Sequence, residues 1–253
     1  MTSTDSLIAR GVGVTYAGLR ALHRVDLAVT PGQVVGLIGP NGAGKTTMVN
    51  VLSGFQLPSM GSVSLGDRLL NGGGAHVFRR VGIARTFQAG RLFRQLDVIE
   101  NLAIAAAALG ARRAQARAQA WAMLEGLDLQ ALAHRQAGAL PYTDERRVAI
   151  ARALMGNPRF VLLDEPAAGM SEHEAAGLAT MVRAMAAERG CGVLLIEHNV
   201  RMVLESCQHI VVLDSGQVID AGTPAHIQAS DVVRHAYMGT VTEVGQEVEA
   251  ALG

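Results

Sequence analysis

A chain of 253 residues, 49% hydrophobic but only 4% aromatic, holds enough aliphatic material for one large α/β domain or for a core carrying an insertion. Its 22 basic and 22 acidic side chains cancel, which excludes the strong net field that gathers nucleic acid or an anionic membrane surface. Two cysteines point to a reducing compartment, residues 1–5 carry no basic and apolar leader, and Leu102 to Ala111 falls far short of the roughly 20 residues that span a bilayer.

In chain order, Leu7 to Val14 and Val25 to Val29 alternate like half-buried strands around Tyr16-Ala17-Gly18. Tyr16 reads either as an aromatic platform for an adenine ring or as an ordinary strand-end tyrosine. Val34 to Ile38 is a buried strand, followed by Gly39-Pro40-Asn41-Gly42-Ala43-Gly44-Lys45-Thr46 and then by a helix from Thr47 to Leu52. Strand, glycine loop and helix in that order form a phosphate-cradling P-loop. Glycines let successive backbone N–H groups turn towards an anion, and the helix N-terminus adds about half a positive charge. Lys45 reaches the β- and γ-phosphates, Thr46 offers its hydroxyl to Mg²⁺, and Thr47 completes the ATP-binding set. Lys45 is also the only lysine in the chain, at a position where a compact ammonium is wanted and a planar guanidinium is not.

Pro58-Ser59-Met60-Gly61 turns the chain into an extended stretch, Ser62 to Leu65, and Gly72-Gly73-Gly74 marks a loop tip. Val81 to Ala84 predicts a short strand ending in Arg85-Thr86-Phe87-Gln88. From Asp97 to Gly156 the period is helical, with Val98, Leu102 and Ala105 on one face and Trp121, Leu124 and Leu127 on another. Arg112, Arg113 and Arg117 lie on the solvated side and lack the aromatic neighbours of a nucleic-acid patch. Phe160 to Leu163 and Val193 to Ile196 are buried strands that deliver Asp164-Glu165 and Glu197-His198. Ile210 to Leu213 and Gln217 to Ile219 form a hairpin, and the last fifteen residues are expected to fray.

Asp164 at a strand end holds Mg²⁺ through water, and Glu165 beside it orients or deprotonates an attacking water. Acidic strand ends are common by themselves; about 120 residues after a P-loop the pattern is Walker B. Neutral His198 suits a hydrogen bond to the γ-phosphate, or else a structural role. Gln88 reads either as a residue that touches Mg²⁺ or the water and couples the site to the helical region, or as an ordinary surface glutamine. Cys191, His198, Cys207 and His209 match no common zinc spacing.

Walker A, Gln88, Leu140-Pro141-Tyr142-Thr143-Asp144 running into Arg146 to Leu154, Walker B and His198 stand in the order of ABC-transporter ATP-binding subunits, which the whole chain resembles. Arg85-Thr86-Phe87-Gln88, Arg91-Leu92-Phe93, Val98 to Leu102, Asp164 to Gly169 and Ile196-Glu197-His198 are similar to the larger ATP-binding subunit of branched-chain amino acid importers, relatives of which serve urea and short amides. The resemblance implies a P-loop α/β core (1–88 and 158–253) with an antiparallel β part and an inserted helical subdomain (89–157). It implies an ATPase using ATP and Mg²⁺, a second ATP-binding subunit (the same chain or a different one), membrane permease subunits, an indirect solute-binding protein and no nucleic acid. The place would be peripheral, at the cytoplasmic face of the inner membrane. The alternative is a non-transport ABC ATPase switch, which usually brings fused halves or long insertions.

The segment Pro141, Tyr142, Thr143, Asp144 stands where the family carries its signature, used in trans by the partner's ATP. Pro141 replaces a hydroxyl residue and Thr143 a glycine, where a β-branched residue costs about 1 kcal/mol if the backbone must take positive φ. Ser171 replaces an acidic or amide residue after Walker B. These departures predict an asymmetric pair of ATP sites.

Overall fold

Three apolar runs set the centre of the molecule. Val34–Ile38 (β3), Phe160–Asp164 (β7) and Gly192–Ile196 (β8) are buried along their whole length, as parallel strands covered on both faces must be. The computed structural model, which describes residues 5–87 and 91–238, places them in a six-stranded sheet. With Ile83–Arg85 (β6), His209–Asp214 (β9) and Gln217–Gly222 (β10), the order is β10-β9-β3-β8-β7-β6. All neighbours are parallel except the β9–β10 hairpin.

The pleat sorts these residues onto two cores. Val34, Ile38, Val161, Leu163, Val193 and Leu195 face one way, into a cluster shared with the helices. Val35, Leu37, Phe160, Leu162, Leu194 and Ile196 face the other. Alternation of this kind is the period of 2 that a strand imposes. The second core is closed by an antiparallel sheet, β2-β1-β4-β5, made of Leu7–Tyr16 (β1), Leu19–Val29 (β2), Met60–Leu65 (β4) and Arg68–Leu69 (β5). Helix Lys45–Leu52 (α1) lies in the same core through Met48, Val49, Val51 and Leu52.

Between β6 and β7 the chain is helical: Val98–Ala108 (α3), Arg113–Glu125 (α4) and Tyr142–Leu154 (α5). Val98, Leu102, Ala120, Leu124, Val148 and Ile150 belong to the cluster that also holds Val161 and Leu163, so this region shares the core of the sheet. The buried side of α4 is Ala116, Ala120, Met123 and Leu124. Trp121, expected on the Leu124 face, is instead on the outside with its Nε1 donating to Glu125 Oε1 at 2.8 Å. Small alanines bring α4 close to its neighbours, and the ring is too large for that seam.

A short helix, Ala75–Arg80 (α2), follows the glycine triplet, and Val81 caps it. The strand expected from Val81 therefore begins at Ile83. The remaining helices are Glu172–Arg189 (α6), Val200–Ser206 (α7), Pro224–Gln228 (α8) and Asp231–Met238 (α9). Gln88 and residues 239–253, expected to fray, lie outside the described residues.

The entry to the helical region is fastened by one side chain. Asp97 caps α3 in a box with Glu100. Fully buried Asn101 accepts from Phe93 N at 2.8 Å and donates to the carbonyls of Phe93 and Asp97 at 3.1 Å. Asn101→Ala leaves Phe93 N without its acceptor and takes one of two donors from each of the Phe93 and Asp97 carbonyls, at about 2–3 kcal/mol in all. The expected result is a thermal midpoint lower by roughly 5–10 °C. A scan showing no shift would place those groups in water.

Candidate functional site

Parallel pairing brings the C-terminal ends of β3, β8, β7 and β6 side by side, and each end carries a polar loop. From β3 comes the glycine loop. Gly39 (φ 148°) and Gly44 (φ 104°) both hold positive φ, and a Cβ would sit 2.0 Å from the Leu213 carbonyl oxygen at the first and 2.8 Å from the Ala21 carbonyl oxygen at the second. Glycine is therefore required at both for conformation and for space. Gly44 caps α1 with no side chain, and the first turn of α1 holds no acidic residue, so its N–H groups and dipole face outward towards an anion. The turn between β9 and β10 supports the loop: Gly216 N donates to Ala43 O at 3.0 Å, and His23 N donates to Gly216 O at 2.8 Å.

Lys45 is buried and donates from Nζ to the carbonyls of Gly39 (2.6 Å) and Pro40 (2.9 Å). Burial pulls its ammonium below the ordinary lysine range, while the carboxylates of Glu165 and Asp164 oppose that shift. Asn41, Gly42 and Thr46 are exposed and Thr47 is half-buried, so the loop and the first turn of α1 line an open face. Tyr16 ends β1 nearly half exposed, its hydroxyl donating to Gln56 Oε1 at 3.2 Å. From behind, buried Tyr237 of α9 reaches the Gly39 backbone; burial raises its phenol well above the tyrosine range.

From β7 come Asp164 and Glu165. The Asp164 carboxylate pairs with Arg85 at 3.1 Å, and burial raises its pKa while Arg85 opposes. Glu165 sits at φ 49°, a left-handed conformation that costs a non-glycine residue about 1 kcal/mol or more and is typical of functional strain. Its Oε1 lies 2.6 Å from His198 Nε2, delivered by the end of β8. Pairing of Asp164 with Ile196 sets those two loops side by side. The P-loop, Asp164, Glu165 and His198, 33 residues from Glu165 in sequence, are thus brought to one end of one sheet.

Residues 141–144, expected to serve as the signature, start the helix α5. Pro141 is the N-cap of α5 and Tyr142 its first residue. Thr143 would carry strain only if its position required positive φ. It stands instead in the first turn of α5, is absent from the positive-φ residues, and donates its hydroxyl to Glu174 Oε1. Helical φ removes the steric objection to a β-branched residue. Ser171 is equally explained: it caps α6 in a box with the same Glu174. Asp144 forms an ion pair with Arg147 at 3.8 Å.

Two charged residues, buried Glu197 and half-buried Arg85, escaped sequence reasoning as contributors to the site. Glu197 accepts from Ala167 N at 2.6 Å and His198 N at 3.1 Å, fixing the loop after Walker B against the histidine. Arg85 holds Asp164. Arg85 ends β6 and Glu197 follows β8, the one local signal available.

Residues 22–168 match the family described as ABC transporter. The high-affinity branched-chain amino acid transport ATP-binding protein BraF of Pseudomonas aeruginosa is 39% identical over 252 residues, covering 94% of this chain and 99% of BraF. Among solved structures, the ADP conformation of the ATP-binding cassette MJ1267 superposes with TM-score 0.85 at 30% identity, over 92% of this chain and 98% of that one. The dimeric post-hydrolysis cassette MJ0796, bound to ADP and Pi, superposes with TM-score 0.77 at 25% identity, over 86% and 98%.

Burial pushes Glu197 up to about 7, even though backbone N–H groups of Ala167, His198 and Asn199 favour its charge. A folded pKa above the ordinary glutamate value of about 4.5 makes its contribution complete below about pH 4.5 and lost as pH rises through about 7. Relative to Glu197→Gln, which does not titrate, the wild-type chain should lose up to about 3 kcal/mol between pH 5 and pH 8. Denaturant midpoints of both proteins across that range check it; parallel curves would contradict the buried-acid assignment.

Proposed function

The chain belongs to the ABC transporter family of ATPases, and on that premise we propose that it powers an importer of branched-chain amino acids or related small polar solutes. The observation that carries the catalytic part is the Glu165–His198 pair at 2.6 Å beside the Lys45 loop, at the end of one parallel sheet. Lys45 and the loop amides would grip the β- and γ-phosphates. The Thr46 hydroxyl and the Asp164 carboxylate are hard oxygen donors on neighbouring elements, a donor set that fits Mg²⁺. That ion, when bound, neutralises charge building on the phosphate oxygens. Glu165 then takes the proton of the attacking water, and His198, anchored to Glu165, steadies the carboxylate and faces the γ-phosphate. Gln88 keeps its proposed part at the metal and the water.

The reading includes a second ATP-binding subunit, because the segment 141–144 sits on α5 and would serve the partner's nucleotide. A dimeric solved relative supports that arrangement. Thr143, its hydroxyl committed to Glu174 of its own chain, brings a side chain where the family pattern has bare backbone, which favours an asymmetric pair of sites. For the permease subunits we propose the aromatic surface around Phe55 and Phe87. Phe55, Leu57 and Phe93 are each more than half exposed there, and Arg91 stacks over Phe87 at 4.2 Å. Helix α5 is tied to that surface, since Arg152 donates to Arg91 O at 2.6 Å and Arg146 to Phe87 O at 3.5 Å. Among the described residues no helix is long and apolar enough to cross a membrane, so docking of this kind would hold the chain at the cytoplasmic face.

Reconstitution with the cognate permease and binding protein tests the reading: branched-chain amino acid uptake should require ATP, and a transporter moving none of these solutes would overturn the assignment. In the same system Glu165→Gln should lower ATP hydrolysis by about 10²-fold or more while nucleotide binding persists. Turnover surviving that change would remove Glu165 from the general-base role. In a homodimer, Thr143→Gly should raise the hydrolysis rate; an equal or lower rate would refute the asymmetry.

A further inference from the structure

We infer that Arg85 is a positioning residue that ties the Asp164 carboxylate to the Phe55–Phe87 aromatic pair, so that metal affinity at the nucleotide site and the state of that surface share one equilibrium. The inference rests on the reading of Asp164 and Thr46 as metal-holding residues. The guanidinium is engaged on every side. Nη2 donates to Asp164 Oδ2 at 3.1 Å, Nη1 to Asn50 Oδ1 at 2.7 Å and Ser53 Oγ at 3.1 Å, and Nε to Thr86 O at 3.2 Å. Its Cζ lies 4.5 Å from the Phe87 ring centroid and 5.2 Å from that of Phe55, and the two rings meet edge to face at 5.7 Å.

Only 7% of either side chain of the Arg85–Asp164 pair is exposed. A desolvated ion pair needs further hydrogen bonds and good geometry to offset the loss of water, and here they come from α1 and from Thr86. Asn50 follows Thr46 by four residues on α1, on the same helix face. One rigid fork therefore fixes both proposed oxygen donors relative to each other: Asp164 directly, and Thr46 through the helix that carries it. The same fork carries the two aromatic rings, one of them more than half exposed. A guanidinium does both at once because it is planar, donates in a fixed pattern and stacks on rings; an ammonium keeps the charge and loses the geometry. Movement of the rings must then move the carboxylate, and occupancy at the carboxylate must bias the rings.

The test uses the full chain with a non-hydrolysable ATP analogue. Mn²⁺, a paramagnetic stand-in for Mg²⁺, is titrated into the nucleotide complex and read by electron paramagnetic resonance; a fluorescent ATP analogue gives metal-free affinity in EDTA. Arg85→Lys should weaken Mn²⁺ binding by about 10-fold and Phe55→Ala by about 3–5-fold, each leaving metal-free nucleotide affinity within about 2-fold of wild type. The Phe55 effect is the decisive one, since a role confined to supporting α1 would not transmit truncation of a surface ring. Unchanged Mn²⁺ affinity in Phe55→Ala overturns the inference, and Phe55→Ala alone decides if Arg85→Lys does not fold. A metal-free affinity that falls as far as the Mn²⁺ affinity also overturns it, marking Arg85 as a support of the P-loop helix. Failure of the wild-type chain to bind the fluorescent nucleotide would instead sink the ATP-binding reading.

Discussion

Everything polar in the site hangs on the parallel ladder β3–β8–β7–β6. Parallel pairing sends all four strands out at the same end, and its register sets Asp164 opposite Ile196, so Glu165 and His198 emerge as neighbours. A slip of one residue in that ladder would turn each buried side chain to the other core and carry the carboxylates away from the P-loop. Close packing at the buried glycines holds the register: a Cβ at Gly36 would sit 2.7 Å from the Val203 side chain, and one at Gly192 would sit 2.6 Å from the Phe160 ring, so neither place accepts the neighbouring residue. Precision at the chemical end is thus secured by burial at the non-chemical one.

The price of concentrating charge at that end is visible in the groups themselves. Lys45, Asp164 and Glu197 are all buried, and burial is the largest influence on each. None is left bare: Lys45 has loop carbonyls, Asp164 has Arg85, and Glu197 has backbone N–H groups. Each partner also fixes direction, as buried ion pairs and hydrogen-bonded carboxylates must if they are to offset lost hydration. The strained backbone of Glu165 fits this pattern, since a β-strand exit into left-handed φ aims the carboxylate at His198.

The helical region between β6 and β7 extends the same economy. It shares the core of the sheet, so α5 is held firmly where it meets the loop after Walker B. Thr143 and Ser171 depart from the family pattern separately in sequence, yet they converge on Glu174, which binds both. Their meaning is joint: the first turn of α5 and the N-cap of α6 are cross-linked by one carboxylate, with the Tyr142 ring packed near Gly169.

By itself the sequence determined the kind of chemistry and the strands that bear it. A P-loop announces itself because its glycines, lysine and hydroxyl must be adjacent in the chain, and Asp164-Glu165 and His198 announce themselves by following apolar runs of strand length. Helix α2 and the outward Trp121 were not legible, since a glycine triplet hid the one and periodicity does not say which stripe of α4 is narrow enough to bury. Only the tertiary structure decided what Arg85, Glu197 and Thr143 do. Their partners lie 79, 30 and 31 residues away, and no local pattern encodes a contact created by the order in which strands and helices are laid side by side.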